Sequence, residues 1–169
     1  MRSHARKILF TAVCFTFAFI AQAQDATQPP PTQHPILTLQ ATGSQIYICQ
    51  NISGKPQWVF TAPSARLFDA PGNEVGTHGD GPIWSYQDGS SIQGVVQSKS
   101  PAPEPDSIPW LLLKAVNPQR SGILTTVSFI RRSDTKGGVV PATVCDLDHQ
   151  GVLARIPYTA TYTFYSAKP

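Results

Sequence analysis

The chain has 169 residues, 41% hydrophobic and 14% charged, with a formal charge of +3. Arg2, Arg6 and Lys7 carry the excess, and without them ten basic and ten acidic side chains balance. A neutral remainder excludes the electrostatic footprint that nucleic acid or an anionic membrane surface requires.

Those three cations form a basic n-region, Ile8 to Ile20 an apolar h-region, and Ala21-Gln22-Ala23 a small-x-small cleavage site. The pattern predicts a signal peptide over residues 1–23, cleaved on export to the periplasm or the exterior. The h-region is too short to stay as an anchor and no later stretch is apolar for long enough, so an integral membrane protein is not expected. Gln24 to Pro169 then leaves 146 residues, within the range of one domain. Residues 24–35 contain Pro29-Pro30-Pro31 and read as a flexible Pro-rich linker. The domain is expected over 36–169.

From Ile36 onward, turn signals recur too often for long helices: Gly43, Gly54, Pro71-Gly72, Gly79 to Pro82, Asp88-Gly89, Gly122, Gly137-Gly138 and Gly151. Between them lie strand candidates at Gln45–Gln50, Gln57–Phe60, Ala65–Asp69, Ile83–Gln87, Ser91–Gln97 and Ile123–Arg132. Asp69 to Asn73 reads as a hairpin connection. Leu111–Val116 fits a buried strand or a short helix equally well, and Ser98–Ser107 is the longest internal loop. Tyr158, Ala160, Tyr162 and Phe164 alternate with Thr159, Thr161 and Thr163, giving one apolar and one hydroxyl face. The expectation is an all-β domain, a sandwich or closed barrel of short, mostly antiparallel strands. A membrane barrel is disfavoured by the short strands and many prolines.

Cys14 departs with the leader, leaving Cys49 and Cys145. In an oxidising compartment a lone pair is expected to form a disulfide, and neither residue has a CxxC partner that would suggest a metal or redox site.

The stretch Gly76-Thr77-His78-Gly79-Asp80-Gly81-Pro82-Ile83-Trp84, followed by Asp88-Gly89-Ser90, concentrates ionisable groups against flexible backbone. His78, Asp80 and Asp88 could serve as acid–base groups or metal ligands, or His78 could simply shape the loop. Trp84 and Trp110, with Trp58, could form a stacking platform for sugar or pack in the core. Arg132 completes the candidate ligand-binding set of His78, Asp80, Trp84, Asp88, Trp110 and Arg132. Asp146 to Gly151 fails as a calcium loop, because its twelfth position is Pro157 rather than a bidentate glutamate. No HExxH motif and no glycine-flanked serine elbow is present.

Gln45-Ile46-Tyr47-Ile48-Cys49, Trp58-Val59-Phe60, Ala65-Arg66-Leu67-Phe68-Asp69, Gly76-Thr77-His78, Gly81-Pro82-Ile83-Trp84 and Ile108-Pro109-Trp110 resemble the DUF3455 family of exported bacterial and fungal proteins. The resemblance continues through Arg132, Gly137-Gly138, Cys145 and Pro157 to Tyr162, with Gly79 and Arg131 departing from its pattern. It implies one exported domain and supplies no catalytic residue or cofactor. The leading expectation is a non-catalytic domain, monomeric and without cofactor, that binds a glycan or protein at the cell envelope. The alternatives are a small hydrolase or metal-dependent enzyme centred on Gly76–Trp84, and a protein inhibitor using Ser98–Ser107.

Overall fold

Side-chain alternation along one long strand sets the architecture. Leu39, Ala41, Gln45, Tyr47 and Cys49 are buried on one side, whereas Thr38, Gln40 and Thr42 between them are exposed. The computed structural model describes residues 25–167, and the leader predicted over 1–23 lies outside them. Eight strands follow in order: β1 (Gln33–Ile52), β2 (Lys55–Phe68), β3 (Glu74–Gly79), β4 (Ile83–Tyr86), β5 (Ser91–Ser100), β6 (Trp110–Gln119), β7 (Phe129–Gly137) and β8 (Leu153–Ala167). Each pairs antiparallel with the next and β8 returns to β1, so the sheet closes into an up-and-down barrel.

Closure rests on β8, whose alternation is legible in sequence, and on the first half of β1, which precedes the strand candidate Gln45–Gln50. Leu39 stands opposite Tyr162, Ala41 opposite Ala160 and Gly43 opposite Tyr158. Phe164, Tyr162, Leu39, Leu67, Trp84, Ile92 and Ile130 fill the interior almost without exposure. Gly94 makes room for one of them. A Cβ there would lie 2.8 Å from Trp84 Cζ3 and 3.0 Å from Leu113 Cδ2. Gly94→Val should therefore cost about 1–3 kcal/mol through overpacking. An unchanged urea midpoint would show that the indole can move aside.

Several elements differ from the sequence expectation. Gln45–Gln50 lies toward the C-terminal end of a 20-residue strand, and Gln57–Phe60 and Ala65–Phe68 are two parts of β2. Leu111–Val116 is strand, inside β6. Ile123–Arg132 is not one strand: Ile123–Thr126 forms a 3-10 turn and β7 begins at Phe129. Local bonds outcompete the ladder there. Asp88 Oδ2 accepts from Ile123 N, Ser90 Oγ accepts from Leu124 N, and the Thr125 and Thr126 hydroxyls donate to the carbonyls of Gly122 and Ile123.

The segment expected as a loose linker is docked on the barrel wall. Thr27 is fully buried, Asp25 Oδ2 lies 2.6 Å from Arg131 Nη2, and Ser98 Oγ donates to Ala26 O at 2.6 Å. Burial of Asp25 opposes its ionisation, but hydrogen bonds from Thr27 and the Arg131 charge pull its carboxyl down to about 2. Asp25, Ala26 and Gln28 to Pro31 line a surface pocket with Leu112 and Phe129, outward-facing apolar groups of β6 and β7. β1 begins inside the predicted linker, at Gln33.

Cys49 and Cys145 form the expected disulfide, with Cα atoms 5.5 Å apart. Cys145 belongs to the stretch between β7 and β8. Tyr47 OH donates to Gly138 O at 2.7 Å, and Trp58 Nε1 to Thr143 O at 2.8 Å, fastening that stretch to β1 and β2. No helix among the described residues is long and apolar enough to cross a membrane.

Candidate functional site

The barrel wall has a notch because two strands are shorter than their neighbours. β3 has six residues and β4 four, whereas β2 has fourteen. β2 pairs with β3 only from Ala65 to Phe68, leaving Lys55–Ser64 without a strand on that side. A bulge between Ile46 and Tyr47 of β1 leaves Thr61 as the extra residue of β2, its hydroxyl donating to Ile46 O at 3.0 Å. Bulges re-aim side chains. Here Phe60, Thr61 and Pro63 border one side of the notch, and Gly81 and Pro82 of the β3–β4 turn border the other.

The notch leads to a cavity of about 110 Å³ walled by Gln45, His78, Trp84, Leu113, Arg132 and Tyr162. Three of the six candidate ligand-binding residues thus share one pocket. His78 and Trp84 are cross-strand partners on β3 and β4, and their rings stack with centroids 4.1 Å apart and planes 11° apart. Tyr162 meets both rings edge-on, at 5.1 Å and 5.3 Å. His78 Nδ1 lies 3.0 Å from Ile83 O. A carbonyl only accepts, so Nδ1 carries the hydrogen and Nε2 keeps its lone pair. Burial, helped by the nearby Arg132 charge and opposed by the Ile83 bond, pushes His78 down to about 3. The ring is neutral throughout the physiological range, which removes it as an acid–base group near pH 7.

Arg132 faces inward from β7, between the core residue Ile130 and the buried Ser133 and Thr135, opposite Tyr162. Its Nε and Nη2 both donate to Pro109 O, at 3.1 Å and 2.8 Å. Burial raises the pKa of Tyr47, Tyr158 and Tyr162, with Arg132 partly offsetting the shift, so these phenols stay protonated. Two residues that line the cavity carry buried N–H groups without a partner: Gln45 Nε2 and Trp84 Nε1. Gln45 is only 3% exposed and Trp84 1%. The Gln45 amide lies beside the Tyr158 hydroxyl and weakly favours its ionised form, but the two do not meet at full hydrogen-bonding distance and angle.

Asp80, Asp88 and Trp110 do not join this pocket. Asp80 is exposed on the β3–β4 turn. Asp88 accepts from Ser90 N at 2.9 Å, Ser90 Oγ at 2.6 Å and Ile123 N at 2.8 Å, which holds its carboxyl below the usual range and ties the β4–β5 turn to the 3-10 turn. Trp110 opens β6, with the Arg131 guanidinium 5.0 Å from its ring centre. Trp84 is core, Trp58 is held by Thr143, and no paired tryptophan platform arises. Among the described residues no group of three or more His, Cys, Asp or Glu is placed to hold a metal ion.

Sequence reasoning missed Gln45, Tyr162 and the Phe60–Pro63 rim. Gln45 did carry a signal. It is a polar residue at an inward position of an otherwise apolar alternation, where a hydrogen-bonding purpose is expected. Asp146, by contrast, accepts from Asp148 N and His149 N and caps a short 3-10 turn, as a solvated turn beside Cys145 should.

Fold and pocket together define an eight-stranded antiparallel barrel with an amide- and guanidinium-lined opening in its wall. The model of the family DUF3455, described as a protein of unknown function, matches residues 30–166, and the chain belongs to that family. No curated protein and no solved structure matches the chain.

Proposed function

We propose that this chain is an exported, non-catalytic binding module of the cell envelope that takes the end of its ligand into the notch between β2 and the β3–β4 turn. The basic n-region, apolar h-region and Ala21-Gln22-Ala23 support export, and the disulfide suits an oxidising compartment. The apolar interior and the threonine-rich outer face of β1 and β8 support a barrel that faces water, the reverse of the lipid-facing arrangement.

The observation that carries the reading is the pair of unpartnered, buried donors, Gln45 Nε2 and Trp84 Nε1, at a cavity with an opening. Leaving such a group unpaired costs about 1–3 kcal/mol, which an incoming acceptor would recover. His78, Asp80 and Asp88 are not assembled, which speaks against the hydrolase reading. A cavity of about 110 Å³ suits an end group, such as a substituent on a glycan, better than the broad surface of a protein.

Envelope-derived glycan fragments titrated into ¹⁵N-labelled protein should move the Trp84 indole N–H resonance, assigned through Trp84→Phe. Saturable binding that moves only the Trp58 or Trp110 resonance would reject the notch as the site.

A further inference from the structure

Resting on that reading, the chemistry of the cavity narrows what can enter it. We propose that the notch receives a carboxylate on a short apolar stem, held by Arg132, Trp84 and Gln45.

Charge is the first argument. Arg132 is the one ionised residue bordering the cavity; no aspartate or glutamate lines it. Among the described residues the ion pairs are Arg66–Glu74, Arg131–Asp25 and His149–Asp146, so Arg132 has no carboxylate partner. The contrast with its neighbour is instructive. Arg131 points out of the barrel and is neutralised by Asp25, whereas Arg132 points in and meets a backbone carbonyl and tyrosine hydroxyls. Pro109 O occupies two of its five N–H donors and fixes the guanidinium plane, leaving up to three for other acceptors.

Hydrogen-bonding polarity points the same way. Gln45 Nε2 and Trp84 Nε1 are donors seeking an acceptor, and both are more than nine-tenths buried. The Thr61 hydroxyl is already committed to Ile46 O. An ionised carboxylate offers acceptors only, and its planar fork fits a guanidinium. One arginine balances one negative charge, which favours a carboxylate over the near-dianion of inorganic phosphate. The remaining walls, Phe60, Pro63, Pro82 and Leu113, are apolar and suit a hydrocarbon stem. At about 110 Å³ the cavity is smaller than the roughly 150 Å³ that houses benzene, so the buried part is a carboxylate with only a few carbons.

The test uses the same Trp84 indole resonance, with propionate, propionamide, phosphate and glucuronate as probes at matched ionic strength. Propionate should give a saturable shift, with propionamide at least tenfold weaker and phosphate no stronger than propionate. Arg132→Gln should abolish the response. Should that variant fold poorly, Gln45→Glu keeps Arg132 and places a carboxylate in the cavity, so it should block propionate while preserving the fold. Tighter glucuronate than propionate assigns the carboxylate to a glycan end, and the reverse assigns it to a free short acid; both support the proposal. Equal response to propionamide, stronger response to phosphate, or binding retained in Arg132→Gln overturns the carboxylate while leaving the notch as a binding site. Silence of Trp84 toward every probe and every glycan fragment overturns both.

Discussion

Replacing Cys49 and Cys145 together by serine should lower the stability of the folded domain by about 4–5 kcal/mol. The bridge joins residues 96 apart, and closing a loop of about 100 residues restricts the unfolded chain by about 4.7 kcal/mol in the chain-entropy account. Its local setting argues against a cheap loss. Cys49 is fully buried, Cys49 N donates to Val152 O and Gly151 N to Cys49 O, both at 2.9 Å. Without the bridge, the stretch between β7 and β8 is held chiefly by these bonds and by those of Trp58 and Tyr47 to Thr143 and Gly138. For a domain of this size the melting temperature should fall by roughly 10–20 °C. Urea unfolding of oxidised protein against the double variant measures it. A loss below about 1 kcal/mol would mean that the β1–β8 pairing already confines the unfolded chain.

That bridge was legible because export and a lone cysteine pair leave few alternatives, and the β class was legible because Tyr158 to Phe164 alternates without interruption. What escaped is what depends on distant partners. Asp25 and Thr27 look like linker residues until Arg131 and Ser98 come beside them, and no local pattern reports that meeting. Ile123 to Thr126 has β-branched, strand-like composition, yet Asp88 and Ser90, more than thirty residues earlier, capture its amides. The candidate site divides in the same way. His78 and Trp84 were marked by the glycine-rich stretch around them, but the notch exists because β3 and β4 end before β2 does. Strand length is set by pairing, so the Phe60–Pro63 rim could not be read from its own residues. Asp80 and Asp88 looked equivalent to His78 in sequence because proximity along the chain says nothing about which side of a turn faces the interior.

The burial of His78 has a consequence that proton linkage makes measurable. The unfolded chain binds a proton on this imidazole near pH 6.5, whereas the folded ring resists until about pH 3. Because the folded value is the lower one, the stabilisation is complete above about pH 6.5 and is lost progressively as pH falls toward 3. The gap of several units, at about 1.4 kcal/mol each, bounds the loss at roughly 5 kcal/mol. Between pH 6.5 and 4.5 the stability of the native protein should fall by close to one proton's worth, about 1.4 kcal/mol per pH unit. The lowered carboxyls of Asp25, Asp69, Asp88 and Asp146 lose their contributions mainly below this window. His149, raised by Asp146, acts with the opposite sign, favouring the fold at low pH. His78→Gln should be less stable at pH 7, since it gives up the Trp84 stack. Its stability should nevertheless depend less steeply on pH across the same window, and that change of slope is the signature of a buried neutral histidine. Urea midpoints of both proteins at pH 6.5, 5.5 and 4.5 give the slopes, and an NMR titration of the histidine ring protons gives the site directly. Parallel slopes, or a His78 resonance titrating within one unit of pH 6.5, would mean that water reaches the ring through the notch and that His78 is available for proton transfer.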